Sequence, residues 1–163
     1  MKVKEVMVGT PVGCNFQANL GSAVELLWEQ QCGILPIANN EEKILGVVTD
    51  RDICVALGTR NRLPGEILVG EVISEKLFSC KPDDDIHTAL AIMAEKKVRR
   101  LPVIDAAGKL QGILSMDDVV LHAEPRGAGR TPELSYEHVI ETFKKIYEAP
   151  LPQLIQKQTA AAG

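Results

Sequence analysis

Aromatic side chains are scarce in this sequence of 163 residues: they make up 4% of it, with one tryptophan, two tyrosines and three phenylalanines. Apolar residues nevertheless amount to 45%, which is an ordinary share for a globular protein. The core is therefore expected to consist of valine, isoleucine, leucine, methionine and alanine. A chain of this length forms one compact body or two small halves that share an interface.

The sequence also lacks an excess of basic residues, since 18 Lys and Arg face 22 Asp and Glu, for a net charge of −4. Nucleic acids and anionic membranes are bound by clustered basic residues, so neither is expected as a partner, although a local basic pocket for a small anion stays open. No stretch approaches the roughly 18–20 apolar residues of a membrane span. The start MKVKEVMV lacks the apolar run of a signal peptide. We expect a cytoplasmic protein.

The four cysteines, Cys14, Cys32, Cys54 and Cys80, form no C-x-x-C pair, and no histidine lies at zinc-ligand spacing from them. Reduced thiols that are mostly buried as small hydrophobes are therefore expected, with no metal site. A nucleophile with a neighbouring base and a recognisable pair of acids are missing as well. We expect no enzymatic activity and no required cofactor.

What the sequence does contain is an internal repeat, with a constant shift of 66 residues and no gap. ILPIANNEEKILGVVTDRDI, which starts at Ile34, aligns with RLPVIDAAGKLQGILSMDDV, which starts at Arg100. The shift continues outside this segment, because Cys14 aligns with Cys80. A unit of roughly 55 residues buries too little surface to be stable alone, so two such units are expected to pack face to face.

The repeat predicts the same order of elements in each copy: an extended segment, a helix, a β-hairpin and a second helix. In the first copy Gly33 is expected to end the first helix, and Gly58 the second, which should close near Leu57. We expect a first unit over residues 1–58, a linker over 59–68, a second unit over 69–123, a loop over 124–134, and a C-terminal helix and tail over 135–163.

The C-terminal helix is expected to start after Ser135 and to be amphipathic, while the last residues of the tail, 153–163, are expected to be poorly ordered. Its apolar stripe needs cover, which either its own units or a second subunit could supply; the sequence does not separate these two arrangements. The residues predicted to share one face are Tyr136, Val139, Ile140, Phe143, Ile146 and Tyr147.

The chemically informative segments are GVVTDRD at 46–52 and GILSMDD at 112–118, where a strand turns into a helix. One reading is a capping box, in which a Thr or Ser caps the helix together with an acid three residues later. The acid is Asp in both copies, whereas a capping box favours Glu or Gln. The second reading is a nucleotide cradle, because free N–H groups at a helix start bind phosphate and a nearby carboxylate accepts hydrogen bonds from ribose.

These segments, with the preceding L-P-[VI] strand, resemble the cystathionine-beta-synthase-type domain, or CBS domain, and the two copies resemble a tandem CBS pair, the Bateman module. The resemblance covers Val3 to about Ala123. It implies an α+β fold of two β-α-β-β-α units packed about a pseudo-twofold axis, with a cleft on each side. It also implies an adenosine-containing ligand such as AMP, ADP, ATP, NAD or S-adenosylmethionine, and often a homodimer.

By this resemblance, Asp52 and Asp118 match the ribose-binding acid, and Thr49 and Ser115 match the phosphate-contacting hydroxyl. Arg100 matches a position that often holds a phosphate-binding residue, but its counterpart in the first copy is Ile34. The two clefts are therefore expected to be unequal. The nucleotide-binding residues that we predict are Thr49, Asp52, Ser115, Asp118, Arg100, Arg51, Ile37 and Val103, of which Ile37 and Val103 could equally be simple core residues.

Two hypotheses follow for function. The first is a regulatory module that binds an adenine nucleotide and, because neither predicted unit is an effector domain, is expected to pass the signal to a separate effector protein. The second is a structural dimerisation module with degenerate clefts, which the mismatches Ile34/Arg100 and Arg51/Asp117 favour.

Overall fold

The computed structural model describes residues 1–9, 11–73, 76–126 and 132–148. Within these residues two three-stranded sheets, in the orders β1-β6-β5 and β2-β3-β4, pack with five α-helices. The strands are β1 (Val8–Gly9), β2 (Cys14–Asn15), β3 (Ile34–Ala38), β4 (Ile44–Thr49), β5 (Arg100–Ile104) and β6 (Leu110–Ser115). The helices are α1 (Leu20–Glu29), α2 (Asp50–Arg60), α3 (Ile86–Lys96), α4 (Met116–His122) and α5 (Tyr136–Tyr147), with 3₁₀ turns at Val3–Glu5, Pro64–Glu66 and Val69–Glu71.

The two hairpins are identical in register once the shift of the repeat is applied. Ile34 pairs with Thr49 in the first, and Arg100 with Ser115 in the second. Each hairpin also carries an irregularity at the same place, after Ile37 and after Val103. Because register decides which side chains face the helices, the equal registers give both units the same inward residues and confirm the duplication.

The hairpins meet at their tips, which joins the two units. The backbone N–H of Ile44 donates to the carbonyl of Gly108 at 3.0 Å, and Gly108 has a φ of +81°, which glycine adopts without strain. Lys109 forms an exposed ion pair with Glu42 at 2.7 Å, and its ammonium group lowers the pKa of the Glu42 carboxyl. An exposed pair adds little stability, so its main effect is on the orientation of the two hairpins.

The packing of the two cores crosses the order of the chain. Val3 and Val6 are buried in the core of the second unit, and β1 pairs antiparallel with β6 of that unit. In return, Ile67 and Val69, which precede the second unit or open it, are buried in the core of the first. The two units therefore exchange their entry segments. The segment that starts the first unit completes the core of the second, and the segment that leads into the second unit completes the core of the first.

Helix ends agree only in part with the sequence-based expectations. The expectation that Gly33 ends α1 is wrong, because this helix stops at Glu29 and the chain turns through Gln30 and the left-handed Gln31. Asn19 caps α1 and Asp85 caps α3 through their side chains. The expectation that Gly58 ends α2 is wrong: the helix continues to Arg60 and closes at Asn61, which is in the left-handed region. A glycine in a helix costs about 1 kcal/mol relative to alanine, which the neighbouring turns offset here.

Helix α5 packs against α3 and α4 of the same chain, and it buries Val139, Thr142 and Ile146. The expected apolar face is covered only in part, because Ile140 is 55% exposed and Tyr147 63%. The predicted loop at 124–134 lies only partly within the described residues, and the predicted tail lies outside them. Among the described helices, none has the length and apolar character needed to cross a membrane.

The four thiols should differ sharply in reactivity. Burial raises the pKa of the Cys80 thiol to about 12 and also raises the pKa of Cys14, whereas Cys54 is exposed. Because the thiolate is the reactive species, we expect Ellman's reagent at pH 8 to label Cys54 rapidly, and Cys14 and Cys80 only after unfolding in guanidinium chloride. Cys54→Ser should remove the fast phase. Rapid labelling of Cys80 in the folded protein would contradict the buried packing.

Candidate functional site

Two clefts lie between the units, and each combines the strand-to-helix corner of one unit with the start of the hairpin of the other. The Asp52 cleft, about 430 Å³, joins Thr49 and Asp52 to the segment Lys97–Arg100 of the second unit. The Asp118 cleft, about 340 Å³, joins Ser115 and Asp118 to residues 30–32 and 34 of the first unit. Both volumes fall in the range of small-molecule sites.

Each corner is a complete capping box. The Asp52 carboxylate oxygen Oδ2 accepts hydrogen bonds from the Thr49 N–H at 2.9 Å and from the Thr49 hydroxyl at 2.7 Å, and the Asp52 N–H donates to the Thr49 oxygen at 3.2 Å. Ser115 and Asp118 repeat the arrangement at 2.9, 2.5 and 3.1 Å. The expectation that a capping box needs Glu or Gln is therefore wrong here, because the shorter aspartate side chain still reaches the N-cap amide and hydroxyl.

The capping role does not use the whole carboxylate. In both corners the two bonds that the carboxylate accepts within the box end on Oδ2, and Asp52 and Asp118 are half-buried at the wall of their clefts. The second oxygen, Oδ1, lies outside the box. The box also aims the carboxylate, so one residue can cap its helix and still offer an acceptor to a ligand.

Six of the eight predicted site residues line a cleft. Thr49, Arg51 and Asp52 line the first, Ser115 and Asp118 the second, and Arg100 lines both. Ile37 and Val103 line neither, because they are fully buried in the two cores. The apolar walls come instead from the neighbouring strands, through Val47 in one cleft and Ile113 in the other.

The sequence reading missed a basic segment that precedes β5. Lys97 and Arg99 line the Asp52 cleft, together with Phe78 and Lys76. Lys97 closes α3 in the left-handed conformation, with a φ of 55°, and Gln31, two residues after the end of α1, has the same conformation with a φ of 48°. Gln31 and Lys97 are equivalent positions, 66 residues apart. This equivalence is the sequence signal that could have located the basic segment.

Helix α5 reaches this basic segment as well. The Lys97 ammonium donates to the carbonyl of Glu148 at 2.6 Å, and Arg99 donates to the Tyr147 hydroxyl at 3.4 Å. The end of the C-terminal helix is thus attached to the rim of the Asp52 cleft by the side chains that line it.

The charges of the two clefts differ strongly. Among the described lining residues, the Asp52 cleft has five basic and two acidic side chains, whereas the Asp118 cleft has one basic and two acidic ones. The repeat explains this difference position by position, because Gln31, Ile34 and Asp117 stand where the other cleft has Lys97, Arg100 and Arg51. The Asp52 cleft therefore suits an anion and the Asp118 cleft does not. Within the described part of the chain, no cluster of His, Cys, Asp or Glu could hold a metal ion.

Two β-α-β-β-α repeats with a cleft on each side of their interface define the chain as a paired-repeat α+β protein. Residues 3–59 and 69–124 each match the family model of the CBS domain. The chain belongs to the CBS domain family, whose members serve as regulatory modules, and it contains a tandem pair.

The chain is similar to several known proteins. It is 29% identical over 125 residues to the uncharacterized protein MK0525 of Methanopyrus kandleri, which covers 75% of this chain and 59% of that protein. It is 30% identical over 121 residues to the CBS domain-containing protein YhcV of Bacillus subtilis, which covers 74% of this chain and 84% of the relative. The structure of CBSX2 in complex with AMP superposes with a TM-score of 0.65 at 27% identity, over 74% of this chain and 93% of that one.

Proposed function

We propose that this protein is a regulatory module that binds a phosphate-bearing adenosine nucleotide, such as AMP, ADP or ATP, in the Asp52 cleft. The observation that carries the proposal is the crossing of the units, which places the Asp52 corner opposite Lys97, Arg99 and Arg100. Asp52 Oδ1 would accept hydrogen bonds from the ribose hydroxyls, and the basic side chains would bind the phosphates. The AMP complex of CBSX2 supports adenosine as the nucleoside.

The apolar part of the same cleft fits a nucleobase. Phe78, Val47 and Pro102 line it, and an aromatic ring beside an aliphatic wall provides a stacking surface for a purine. The residues that hold the base, the ribose and the phosphates thus come from both units. Ligand binding would therefore fix the orientation of one unit relative to the other, which is how the module would act on a separate effector protein. The effector and a homodimeric state remain predictions.

A purely structural role is the alternative, and the poor charge match of the Asp118 cleft favours it for that side of the molecule. The two functions differ in their response to nucleotide. A ligand at 100 times its dissociation constant stabilises the native state by about 2.7 kcal/mol, equivalent to a rise in Tm of about 5–10 °C for a chain of this size. A structural module would show no rise with any nucleotide.

We expect isothermal titration calorimetry to detect binding of at least one of AMP, ADP, ATP and NAD, with S-adenosylmethionine as a fifth ligand that lacks a phosphate. Asp52→Asn should weaken nucleotide binding about tenfold. Asparagine keeps an acceptor for the capping box but lacks the charge that strengthens hydrogen bonds from ribose. Asp118→Asn is the matched control, because it makes the same change in the other cleft. No binding of any of the five at millimolar concentration to the folded protein would exclude the proposal.

A further inference from the structure

Arg100 belongs to both clefts at once. It is the first residue of β5, and together with Ile34 it lines both cavities. Its nitrogen Nη2 donates to the Asp117 carboxylate at 3.4 Å, on the side of the Asp118 cleft. Its nitrogen Nη1 lies on the side of the Asp52 cleft, 3.9 Å from the position that a Cβ on Gly33 would occupy.

The pair between Arg100 and Asp117 is weak enough to be exchanged for a ligand. The Asp117 side chain is 79% exposed and that of Arg100 31%, and exposed ion pairs are screened by solvent. A phosphate in the Asp52 cleft offers the guanidinium two oxygens in a bidentate arrangement, which is a stronger partner than one exposed carboxylate. Binding of a phosphate there would thus compete with Asp117 for Arg100.

The Asp118 cleft changes character when Arg100 leaves it. Its described lining then holds two carboxylates, Asp117 and Asp118, and no basic side chain, beside the uncharged Gln31, Cys32 and Ile34. Like charges at close range repel, so this cleft becomes unfavourable for phosphate but stays open to an uncharged nucleoside.

We infer that Arg100 couples the clefts: a phosphate-bearing nucleotide in the Asp52 cleft takes the guanidinium from Asp117 and leaves the Asp118 cleft selective for adenosine compounds without negative charge. The inference rests on the proposed function of the Asp52 cleft. Linkage makes the effect reciprocal: a ligand that holds Arg100 at Asp117 lowers the affinity of the Asp52 cleft for its nucleotide by the same factor.

Asp117→Asn therefore should strengthen ATP binding in the Asp52 cleft about two- to fivefold, the range that exposed ion pairs contribute, although residue 117 lines only the other cleft. Calorimetric titration with ATP measures this change. In an Arg100→Gln background, which itself binds ATP more weakly, the same substitution should have no effect. Glu141→Gln, which removes one exposed charge from α5, controls for net charge and should leave ATP affinity unchanged.

The ligand class is tested on the protein saturated with ATP. Adenosine should then still bind, and lose its binding in Asp118→Asn, while AMP should bind this second cleft at least about tenfold more weakly than adenosine. Equal binding of AMP and adenosine, no binding of adenosine, or a gain from Asp117→Asn that persists without Arg100 would each overturn the inference and leave the proposed function intact. Absence of binding of AMP, ADP, ATP and NAD to the unmodified protein would overturn both.

Discussion

Replacing Lys97 and Arg100 with glutamine and isoleucine is expected to weaken ATP binding about 100-fold while changing adenosine binding less than about twofold. Glutamine and isoleucine are the residues that the first unit carries at the equivalent positions, Gln31 and Ile34. Each lost hydrogen bond between a charged donor and a phosphate contributes about 1.5 kcal/mol, the lower end of the range for charged groups, because the cleft is partly open to solvent. Two such losses together lower the affinity for ATP by roughly two orders of magnitude.

The exchange suits the backbone, because Gln31 already adopts the left-handed conformation that Lys97 requires. Calorimetry with ATP, AMP and adenosine would measure the three affinities, and circular dichroism would verify that the end of α5, which Lys97 contacts through Glu148, stays folded. Lys144→Gln with Lys145→Gln removes the same charge from exposed positions of α5 and should leave ATP affinity unchanged. An equal loss for ATP and adenosine would show that Lys97 and Arg100 do not act on the phosphates.

The second large effect concerns Gly112, at the place where the entry segment of the first unit crosses to the second. A Cβ at this position would lie 2.8 Å from the Val8 carbonyl oxygen and 2.5 Å from the Met7 sulfur. Because Val8 belongs to β1, which pairs with β6 at this point, the backbone itself must shift. Overpacking of this kind costs roughly 2 kcal/mol, so Gly112→Ala is expected to lower Tm by about 4–8 °C.

Gly58→Ala is the matched control with the opposite sign. Gly58 lies within α2 with no neighbouring atom within 4 Å of the added methyl group, and alanine in a helix is favoured over glycine by about 0.5–1 kcal/mol. Differential scanning calorimetry should therefore show a lower Tm for Gly112→Ala and a higher Tm for Gly58→Ala than for the unmodified protein. If Gly112→Ala melts at the temperature of the unmodified protein, the crossing of β1 onto β6 is not part of the stable fold.

The two clefts illustrate how a duplicated fold yields sites of different chemistry. The corners Thr49–Asp52 and Ser115–Asp118 make the same hydrogen bonds, since both are determined by local helix capping. The residues that the opposite unit brings to each corner differ in charge, because Lys97 and Arg100 face the Asp52 corner where Gln31 and Ile34 face the Asp118 corner. The two clefts thus share one backbone geometry but differ in charge.

Most of the fold could be predicted because its signals are local or repeated. The turn and cap residues located both hairpins and four helices, and the repeat required that two similar units share an interface. The limits of α2 were missed because the penalty for Gly58 is small compared with the packing of Ile53 and Ala56 in the core. The sequence did not predict how much of the apolar face of α5 is covered, because an apolar stripe does not show which of its residues a neighbouring helix will contact.

The sequence by itself determined the duplication, the registers of the hairpins and the capping corners, because these depend on residues close together in the chain or offset by one constant shift. Only the tertiary structure decided that Val3 and Val6 belong to the second core, that Ile37 and Val103 are buried away from the clefts, and that Lys97 and Arg99 face Asp52 while Arg100 lines both clefts. The physical reason is that the sites form between the units, and the pairing of surfaces from distant segments depends on packing that no local pattern encodes.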